Sequence, residues 1–382
     1  MSDTALYKTS AFVHCNQSIV VHDLTNLAFY GDDDDIALIK RLAETPSTLP
    51  SILSLPGIEE LQERVDFFLR ERVIVPVSYD ESGDFITHRV DIETCRQCNA
   101  RCKFCPQSVA PKSRAVMSLE LFQLILSRLE GTRPTWVAFN HYGEPLLDPL
   151  FRKRVNLLRE RGFRLGLYTN ATLLKESVID FLAQGGVYKV VFNFPSLEPT
   201  QWSNLMQLPE KSYWRARRAI EYYLSSKAPV VDGIYISVNV PDETQDERAK
   251  RIEEHFSALG KVDVRMEYSN SRAGSVENEF VHIGSRAESR HYAGCERIVQ
   301  HLHVSWEGKV YLCCQDYDQS VVLGDLTKDS VASIMSSQIA RDFRAELYGL
   351  AAMKTGRLCL DCNMLRRDRF SNVALPVKLT SP

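Results

Sequence analysis

The sequence predicts an α/β protein whose main part is an open, partial (β/α)6 barrel. From about residue 85 onwards, short apolar strands alternate with amphipathic helices, and six such strands follow one another along the chain. This alternation indicates parallel strands joined by helices. Cysteine, glycine and amide residues come directly after several of the strands, which is where barrels of this kind carry their sites.

Each unit of the barrel has its own signal in the sequence. The strands are predicted at 85–94, 135–140, 165–169, 188–193, 233–240 and 262–268. The helices are predicted at 118–129, 151–161, 173–183, 214–224 and 242–259. Ser118 is a suitable N-cap for the first helix, because its hydroxyl can accept from a free amide of the first turn. Gly162 is suited to end the second helix.

Residues 1–84 are predicted to form a separate α+β unit, similar to a winged helix. A short strand is expected at 18–22, helices at 36–42 and 58–72, and a second strand at 73–78. The four aspartates at 32–35 are interpreted as a solvated turn or the N-cap region of the first helix. A turn at 80–84 would lead into the barrel. We therefore divide the chain at 1–84, 85–275 and 276–382.

Composition limits the possible classes of protein. The chain has 382 residues, a net charge of −3, 44% hydrophobic and 25% charged residues. These values predict a globular protein without a strong field for nucleic acid or membranes. Neither a signal peptide nor a membrane-spanning run is visible in the sequence. Ten cysteines in such a chain favour metal ligands over disulfides and a cytoplasmic location.

Three cysteines, Cys98, Cys102 and Cys105, form a C-x3-C-x2-C motif with Phe104 just before the third. Thiolates are preferred ligands of iron–sulfur clusters. A [4Fe–4S] cluster held by three cysteines keeps one iron without a protein ligand, and such an open metal position can bind a small molecule. The alternatives are a zinc site or scattered structural thiols. Cys95 lies outside the motif and is interpreted as a spare thiol.

This motif resembles the signature of the radical S-adenosylmethionine (SAM) superfamily, whose fold is also a partial barrel. The resemblance implies that SAM chelates the open iron through its amino and carboxylate groups. It further implies that an electron from the cluster cleaves SAM to methionine and a 5′-deoxyadenosyl radical, which abstracts a substrate hydrogen. A low-potential donor such as flavodoxin or ferredoxin would supply the electron.

Further SAM contacts are predicted on the loops after the later strands. Gly143-Glu144 resembles the family's Gly-Glu motif, which holds the SAM amino group. Thr169, Asn170, Asn193 and Ser196 match the family by position. Phe104 of the cysteine motif is also predicted to bind the cofactor, and Arg272, in a segment that resembles one recurring in related barrels, is predicted to bond SAM or substrate. Hydroxyl and amide side chains at strand ends can bond ribose hydroxyls or a carboxylate. Ordinary helix capping is the alternative for the residues after the third and fourth strands.

A second cysteine group lies beyond the barrel. A hairpin is predicted around Glu307-Gly308, with cysteines following it. The arrangement resembles the Twitch or SPASM extensions of radical SAM enzymes, which hold auxiliary [4Fe–4S] clusters. The resemblance implies one such cluster with the ligands Cys295, Cys313, Cys359 and Cys362. Cys314 would be a spare thiol, a replacement ligand or a hydrogen donor. Zinc would accept the same four thiolates.

The expected substrate is a ribosomally made peptide, modified by cross-linking, epimerisation or oxidation. The segment from Arg72 to Glu81 is similar to the N-terminal segment of radical SAM peptide maturases, in which comparable small domains bind a leader peptide. A lid that packs on the barrel is the alternative for this unit. The second hypothesis is a natural-product dehydrogenase acting on an aminocyclitol or sugar, and the third is a non-catalytic zinc or iron–sulfur protein. The sequence predicts no oligomeric state.

Overall fold

The structure is a computed structural model. It describes residues 4–10, 12–15, 19–22, 27–56, 60–79, 87–132, 134–226, 228–238, 245–266, 272–275, 295, 297–298, 301–347, 354 and 358–362. The predicted turn at 80–84 lies outside these residues. In the described part of the chain, no helix combines the length and the apolar character needed to cross a membrane.

In its described residues, the N-terminal unit has three helices and two small antiparallel sheets. Its elements are β1 (Leu6–Thr9), β2 (Val13–Cys15), β3 (Ile19–His22), β4 (Leu27–Tyr30), α1 (Asp33–Glu44), β5 (Ser47–Thr48), α2 (Leu49–Leu53), α3 (Leu61–Arg70) and β6 (Ile74–Pro76). The strand orders are β5-β1-β6 and β2-β3-β4. Asp32 is the N-cap of α1: the Asp35 amide donates to Asp32 Oδ1 at 2.9 Å, as in a capping box. The predicted N-cap region at 32–35 is confirmed.

This unit has a hydrophobic core of its own. The buried members of that core include Tyr7, Val20, Phe29, Ile36, Ile39, Leu42, Val65, Phe68 and Ile74. Arg64 of α3 joins this helix to the start of α1 through ion pairs with Asp32 at 2.6 Å and with Asp35 at 2.7 Å. Phe12 differs from its neighbours because it packs into the core of the barrel. The unit is thus internally packed and also attached to the barrel.

The barrel follows the predicted order of strands and helices. Its elements are β7 (Arg89–Ile92), α4 (Leu119–Leu129), β8 (Trp136–Phe139), α5 (Phe151–Glu160), β9 (Leu165–Thr169), α6 (Glu176–Leu182), β10 (Val187–Asn193), α7 (Pro199–Met206), α8 (Glu210–Ser225), β11 (Gly233–Val238), α9 (Gln245–Ser257) and β12 (Asp263–Met266). Strands β7 to β12 pair in parallel in chain order. The predicted fold class, an α/β protein with a partial barrel, is confirmed.

Most predicted elements are present with ends that differ by a few residues. Ser118 caps α4, accepting from the Leu121 amide at 3.1 Å, and Gly162 follows α5 with a φ of 74°. Helix α7 was not predicted. Its eight residues are too few for a clear amphipathic period, although Trp202 and Met206 are fully buried.

The C-terminal part continues the barrel sheet. Its elements are β13 (His301–Val304), β14 (Lys309–Tyr311), β15 (Val322–Asp325), α10 (Val331–Met335) and α11 (Gln338–Leu347). Strands β13 and β14 form the predicted hairpin around Glu307-Gly308. Strand β13 pairs in parallel with β7, so the sheet has nine strands in the described residues, in the order β12-β11-β10-β9-β8-β7-β13-β14-β15. The hairpin therefore covers the free edge of the first barrel strand.

The two faces of this sheet differ in chemistry. Val90 and Ile92 of β7 are fully buried in the apolar core that includes the surrounding helices. Because side chains alternate along a strand, Arg89 and Asp91 point to the opposite, inner face. Trp136 of β8 lies on this inner face as well, with its ring 4.6 Å from the Arg89 guanidinium carbon. The inner face at β7 and β8 thus carries polar and aromatic side chains.

Candidate active site

The loop after β7 carries the first cysteine group, at the predicted end of the strand. Cys102 is buried, whereas Cys98 and Cys105 are half-buried. The Cys105 amide donates to the Cys102 carbonyl at 2.9 Å, which closes a tight turn between these two ligand candidates. The Phe104 side chain packs into the barrel core. The aromatic residue of the motif therefore anchors the cysteine loop.

The unpredicted helix α7 holds this loop in place. The Arg101 amide donates to the Met206 carbonyl at 3.2 Å, and the Lys103 amide donates to the Leu205 carbonyl at 2.9 Å. Both acceptors belong to the last turn of α7, whose carbonyls have no partner within the helix. The last carbonyls of α7 thus accept hydrogen bonds from the backbone of the cysteine loop.

The three thiols influence one another electrostatically. Burial raises the pKa of Cys98 to about 12, and the Glu144 carboxylate is the next cause. Burial is also the main cause of the raised pKa of Cys102, and repulsion from Cys105 and Cys98 raises this pKa further. Buried thiolates that repel one another need a metal centre to neutralise their charge. Three such thiols on one loop fit a [4Fe–4S] cluster with one iron left open.

The loop after β8 lies in backbone contact with the cysteine loop. A Cβ atom at Gly143 would be 1.8 Å from the Cys95 carbonyl oxygen, so no other residue fits without a shift. The Glu144 amide donates to the Gln97 carbonyl at 2.9 Å. Cys95 Sγ itself donates to the Gln97 carbonyl at 3.7 Å, and burial raises the pKa of this thiol to about 11. Gly143 therefore permits the contact that joins the two loops.

The Glu144 carboxylate is bonded to the protein. It accepts from the Thr169 hydroxyl at 2.7 Å, the Asn170 amide at 2.9 Å and the Leu146 amide at 3.2 Å. Burial raises the pKa of Glu144, and these hydrogen bonds oppose the rise. The carboxylate thus ties the loop after β8 to the end of β9. This arrangement leaves the backbone carbonyls around Gly143 as the groups suited to an ammonium ligand.

Asn170 connects the loop after β9 to the cysteine loop. Its Nδ2 donates to Asn99 Oδ1 at 3.0 Å and lies 4.0 Å from Cys98 Sγ. Asn99 Nδ2 in turn donates to the Thr172 hydroxyl at 2.8 Å, and that hydroxyl donates to Asn170 Oδ1 at 2.6 Å. The loops after β7, β8 and β9 are therefore joined in one polar network beside the first cysteine group.

The predicted contacts after β10 have local partners. The buried Ser196 hydroxyl donates to Gln201 Oε1 at 2.6 Å and accepts from the Glu198 amide at 3.0 Å. These bonds form a local turn before α7 and are not a helix cap, because the N-cap of α7 is Glu198. Asn193 is the half-buried last residue of β10, in register with Ser237 of β11.

Gln107 is a buried residue of the site that the sequence analysis did not single out. Its Nε2 donates to the Arg96 carbonyl at 3.0 Å and to the Tyr142 carbonyl at 3.1 Å, while its Oε1 accepts from the Lys112 amide at 2.9 Å. A side-chain amide can satisfy three backbone groups in this way. The only local signal is a polar residue after Cys105-Pro106, which by itself indicates a turn.

The second cysteine group is assembled from distant parts of the chain. Cys313 follows β14, and Cys359 lies on the 3₁₀ turn Leu358–Asp361. Burial raises the pKa of Cys313, and repulsion from Cys314, Cys295 and Cys359 follows in that order. The Cys362 amide donates to the Cys359 carbonyl at 3.3 Å. The structure brings these thiols together, and this donor set fits an iron–sulfur cluster or zinc.

Tyr142 lies between the two cysteine groups. Its hydroxyl donates to the Cys314 carbonyl at 2.5 Å, and its ring stacks edge-on against Tyr317 at 4.6 Å. Arg272, predicted as a cofactor contact, has its guanidinium carbon 5.7 Å from the Tyr142 ring and lowers the pKa of Cys105 against the dominant effect of burial. The loop that carries Gly143 is therefore connected to both groups.

Comparison with known protein families and structures assigns both cysteine regions. The profile of the Radical SAM superfamily matches residues 92–254. The SPASM profile, an iron-sulfur cluster-binding domain, matches residues 295–363. Both matches include the cysteine residues described above.

Curated relatives match over shorter segments. A tungsten-containing aldehyde ferredoxin oxidoreductase cofactor-modifying protein of Pyrococcus furiosus is 33% identical over 111 residues, which are 29% of this chain and 31% of that protein. An S-adenosyl-L-methionine-dependent 2-deoxy-scyllo-inosamine dehydrogenase of Niallia circulans is 29% identical over 112 residues, 28% of this chain and 45% of that protein. The chain thus spans less than half the length of these relatives.

One solved structure is similar over almost the whole chain. It is Streptococcus suis SuiB bound to the precursor peptide SuiA, with a TM-score of 0.57, 13% identity and coverage of 93% of each chain. At this identity the likeness concerns the fold.

Proposed function

The chain belongs to the radical SAM superfamily of enzymes and has a C-terminal SPASM-like iron–sulfur domain, and on this basis we propose that it modifies a ribosomally made peptide. The modification would be a cross-link, an epimerisation or an oxidation. The domains imply a [4Fe–4S] cluster with SAM and an auxiliary iron–sulfur cluster. When bound, the first cluster and SAM supply one-electron cleavage of SAM to a 5′-deoxyadenosyl radical.

Roles for this chain's residues at the first site follow from the geometry. Cys98, Cys102 and Cys105 would hold three irons, since they share one loop and face a common buried position. The backbone around Gly143 would accept from the SAM ammonium. The residues that join the three loops would fix these groups before SAM arrives, which reduces the cost of ordering them on binding.

For the auxiliary cluster we propose Cys295, Cys313, Cys359 and Cys362 as ligands. Cys314 lies near the same group, since it is the first charge partner of Cys313. Four protein thiolates would leave no open iron for substrate, so this centre would serve to accept or relay an electron. The Tyr142 hydroxyl, bonded to the Cys314 carbonyl, would keep the two cluster loops at a fixed separation.

The observation that supports a peptide substrate is the likeness to SuiB over 93% of this chain. Only 7% of this chain lies outside that alignment, which is fewer residues than the N-terminal unit contains. The alignment therefore includes at least part of the N-terminal unit. SuiB was crystallised with its precursor peptide. The division at residues 84 and 275, with the first unit as a peptide-recognition domain, is part of this proposal.

The N-terminal unit offers sheet edges to an extended peptide. Among the described residues β2 and β4 each pair only with β3, so both have one unpaired edge. Peptides bind such edges as an added strand. Tyr30, at the end of β4, is 53% exposed and gives an aromatic contact there.

An aminocyclitol or sugar dehydrogenase is the second candidate, favoured by the local similarity to the Niallia circulans dehydrogenase. Anaerobic incubation with SAM and 2-deoxy-scyllo-inosamine tests it directly. Loss of two hydrogens from that compound would support this candidate over the peptide. Under either candidate, we propose a flavodoxin or ferredoxin as electron donor and the cytoplasm as location.

The peptide hypothesis is tested with a precursor encoded by a short reading frame beside the gene. We expect the reconstituted enzyme to change the mass or the chirality of that peptide and to form 5′-deoxyadenosine. Tyr30→Ala should weaken binding of the labelled peptide, whereas Trp214→Ala, an equally exposed aromatic residue of α8, should leave binding unchanged. An unmodified peptide that also fails to bind would contradict the proposal.

A further inference from the structure

The inner face of the sheet holds a cluster of buried titratable groups where β7 meets β13. His303 is in register with Asp91, and His301 lies two residues away on the same face. Asp91 and His303 are 0% and 1% exposed. One potential ligand atom from each of the three side chains lies within 4.8 Å of the other two. None of these residues belongs to either cysteine group.

The cluster contains polar atoms that lie close together without forming hydrogen bonds. His303 Nδ1 lies 3.3 Å from Asp91 Oδ2, yet in the described part of the chain neither atom, nor His303 Nε2, makes a hydrogen bond. Burying such atoms without a partner is costly, so a missing partner is indicated. Two ligands about 2.0–2.1 Å from a tetrahedral Zn²⁺ would themselves be about 3.3 Å apart.

We propose that Asp91, His301 and His303 bind a divalent first-row metal ion, Zn²⁺ or Fe²⁺, on the inner face of the barrel. Two imidazoles and one carboxylate are a ligand set used for both ions. Three protein ligands leave at least one coordination position open. That position would take a carboxylate, hydroxyl or thiol group of a molecule inside the barrel.

The surroundings of Asp91 are those of a metal-binding carboxylate. Arg89 donates to Oδ1 from Nη2 at 2.6 Å and from Nε at 2.9 Å, and Asn140 Nδ2 donates to the same oxygen at 3.3 Å. Oδ2 is thereby directed towards His303. Hydrogen bonds from a second layer of residues orient metal ligands in this way. The Arg89 charge is balanced by Asp91, so we expect moderate metal affinity.

The protonation states also suit a metal. Burial lowers the pKa of His301 to about 4 and that of His303 in the same direction. Although burial raises the pKa of Asp91, the Arg89 charge holds it below its usual range. These directions favour an ionised carboxylate and neutral imidazoles, which are the forms that bind metals.

Two further polar side chains lie beside the cluster. The His141 ring centre lies 5.8 Å from that of His303, and the Tyr311 hydroxyl is hydrogen-bonded to His141 Nδ1 at 2.7 Å. A molecule bound to the metal would meet this pair. The site is thus placed to orient a polar group inside the barrel, whichever substrate the enzyme uses.

Zn²⁺ binding to the full chain tests the proposal without a substrate. Protein reconstituted anaerobically with its iron–sulfur clusters, so that the seven proposed ligand cysteines are occupied, is dialysed against Zn²⁺ and analysed for bound zinc. We expect about one Zn²⁺ per chain, with affinity reduced at least tenfold by His301→Gln and by Asp91→Asn. A parallel titration with Fe²⁺ shows which ion binds more tightly.

His255→Gln is the matched control, since His255 is a half-buried histidine paired with Glu221 at 3.1 Å on another part of the chain. The iron of the iron–sulfur clusters must remain at the wild-type level in each variant. If Asp91→Asn disturbs the fold, His301→Gln still tests the site, because His301 is only half-buried. Loss of bound zinc in His301→Gln and Asp91→Asn, with zinc retained in His255→Gln, supports the site. Absence of bound Zn²⁺ and Fe²⁺, or binding unaffected by His301→Gln, would overturn it.

Discussion

The two cysteine groups differ in how the chain builds them. The first group occupies eight consecutive residues of one loop, and the two loops after β8 and β9 are hydrogen-bonded to it. The second group draws its thiols from residues 295, 313, 314, 359 and 362, which lie on both sides of the hairpin that pairs with the barrel edge. A contiguous site depends on local turns, whereas a dispersed one depends on the fold of a whole domain.

This difference suggests that the first site is preorganised and that the second is shaped partly by its metal. The first loop is fixed by the carbonyls of α7 and by Gln107. The thiols of the second group come from segments that are far apart in the chain, so a bound metal would hold those segments together. Binding of a metal to ligands that are not fully ordered contributes to folding. Variants of the two groups should therefore have separable effects.

The largest effect is expected at the first group. Replacing Cys98, Cys102 and Cys105 by alanine should abolish dithionite-driven formation of 5′-deoxyadenosine, because the open iron is lost. Iron should fall from about eight to about four per chain. Cys95→Ala is the control and should retain both activity and iron, since Cys95 has a backbone partner. Persistent 5′-deoxyadenosine in the triple variant would refute the ligand assignment.

A smaller, selective effect is expected at the second group. Replacing Cys359 and Cys362 by alanine should remove about four irons per chain while uncoupled SAM cleavage continues. Thermal stability should also fall, because a bound metal centre contributes to the folding of its domain. Cys15→Ala, which changes a half-buried cysteine of the N-terminal unit, should alter neither quantity. Unchanged iron in the double variant would show that these thiols hold no cluster.

The same contrast explains what the sequence could predict. The barrel strands and the first cysteine loop were found because their signals are local: alternation, spacing and strand-end loops. Strand β9 was predicted to the residue. The parallel pairing of β13 with β7 joins residues more than 200 positions apart, and no local pattern specifies it. The cluster of Asp91 with His301 and His303 depends on that pairing and was therefore missed.

The sequence placed the predicted cofactor contacts at the strand ends but could not show their hydrogen bonds within the protein. Glu144 and Thr169 lie at the site, but they bond to each other at 2.7 Å. The sequence showed which loops meet, since the ends of parallel strands share one edge. It could not show which polar groups would satisfy one another, because that depends on distances between loops. Gln107 was overlooked for the same reason.

An intermediate effect is expected where the two loops touch at Gly143. Gly143→Ala should displace one of them, since its Cβ would lie 1.8 Å from the Cys95 carbonyl oxygen. Overpacking of this kind costs about 1–3 kcal/mol, and we expect SAM binding to weaken by about tenfold or more. Gly131→Ala is the control because nothing lies within 4 Å of its Cβ position. Equal SAM affinity in both variants would contradict the close contact.

The smallest effect is expected from the hydrogen bond that joins β9 to Glu144. Thr169→Val keeps the shape of the side chain but removes its donor to the buried carboxylate. Because other donors to Glu144 remain, we expect a loss of about 1 kcal/mol and a SAM affinity reduced by roughly fivefold. Iron content should not change, since no cysteine is touched. Thr132→Val, at a buried threonine that donates to the Leu129 carbonyl at 2.9 Å, should leave SAM affinity unaltered. If Thr169→Val instead lowered iron, the network would be required for cluster binding itself, and the first site would be less preorganised than its hydrogen bonds indicate.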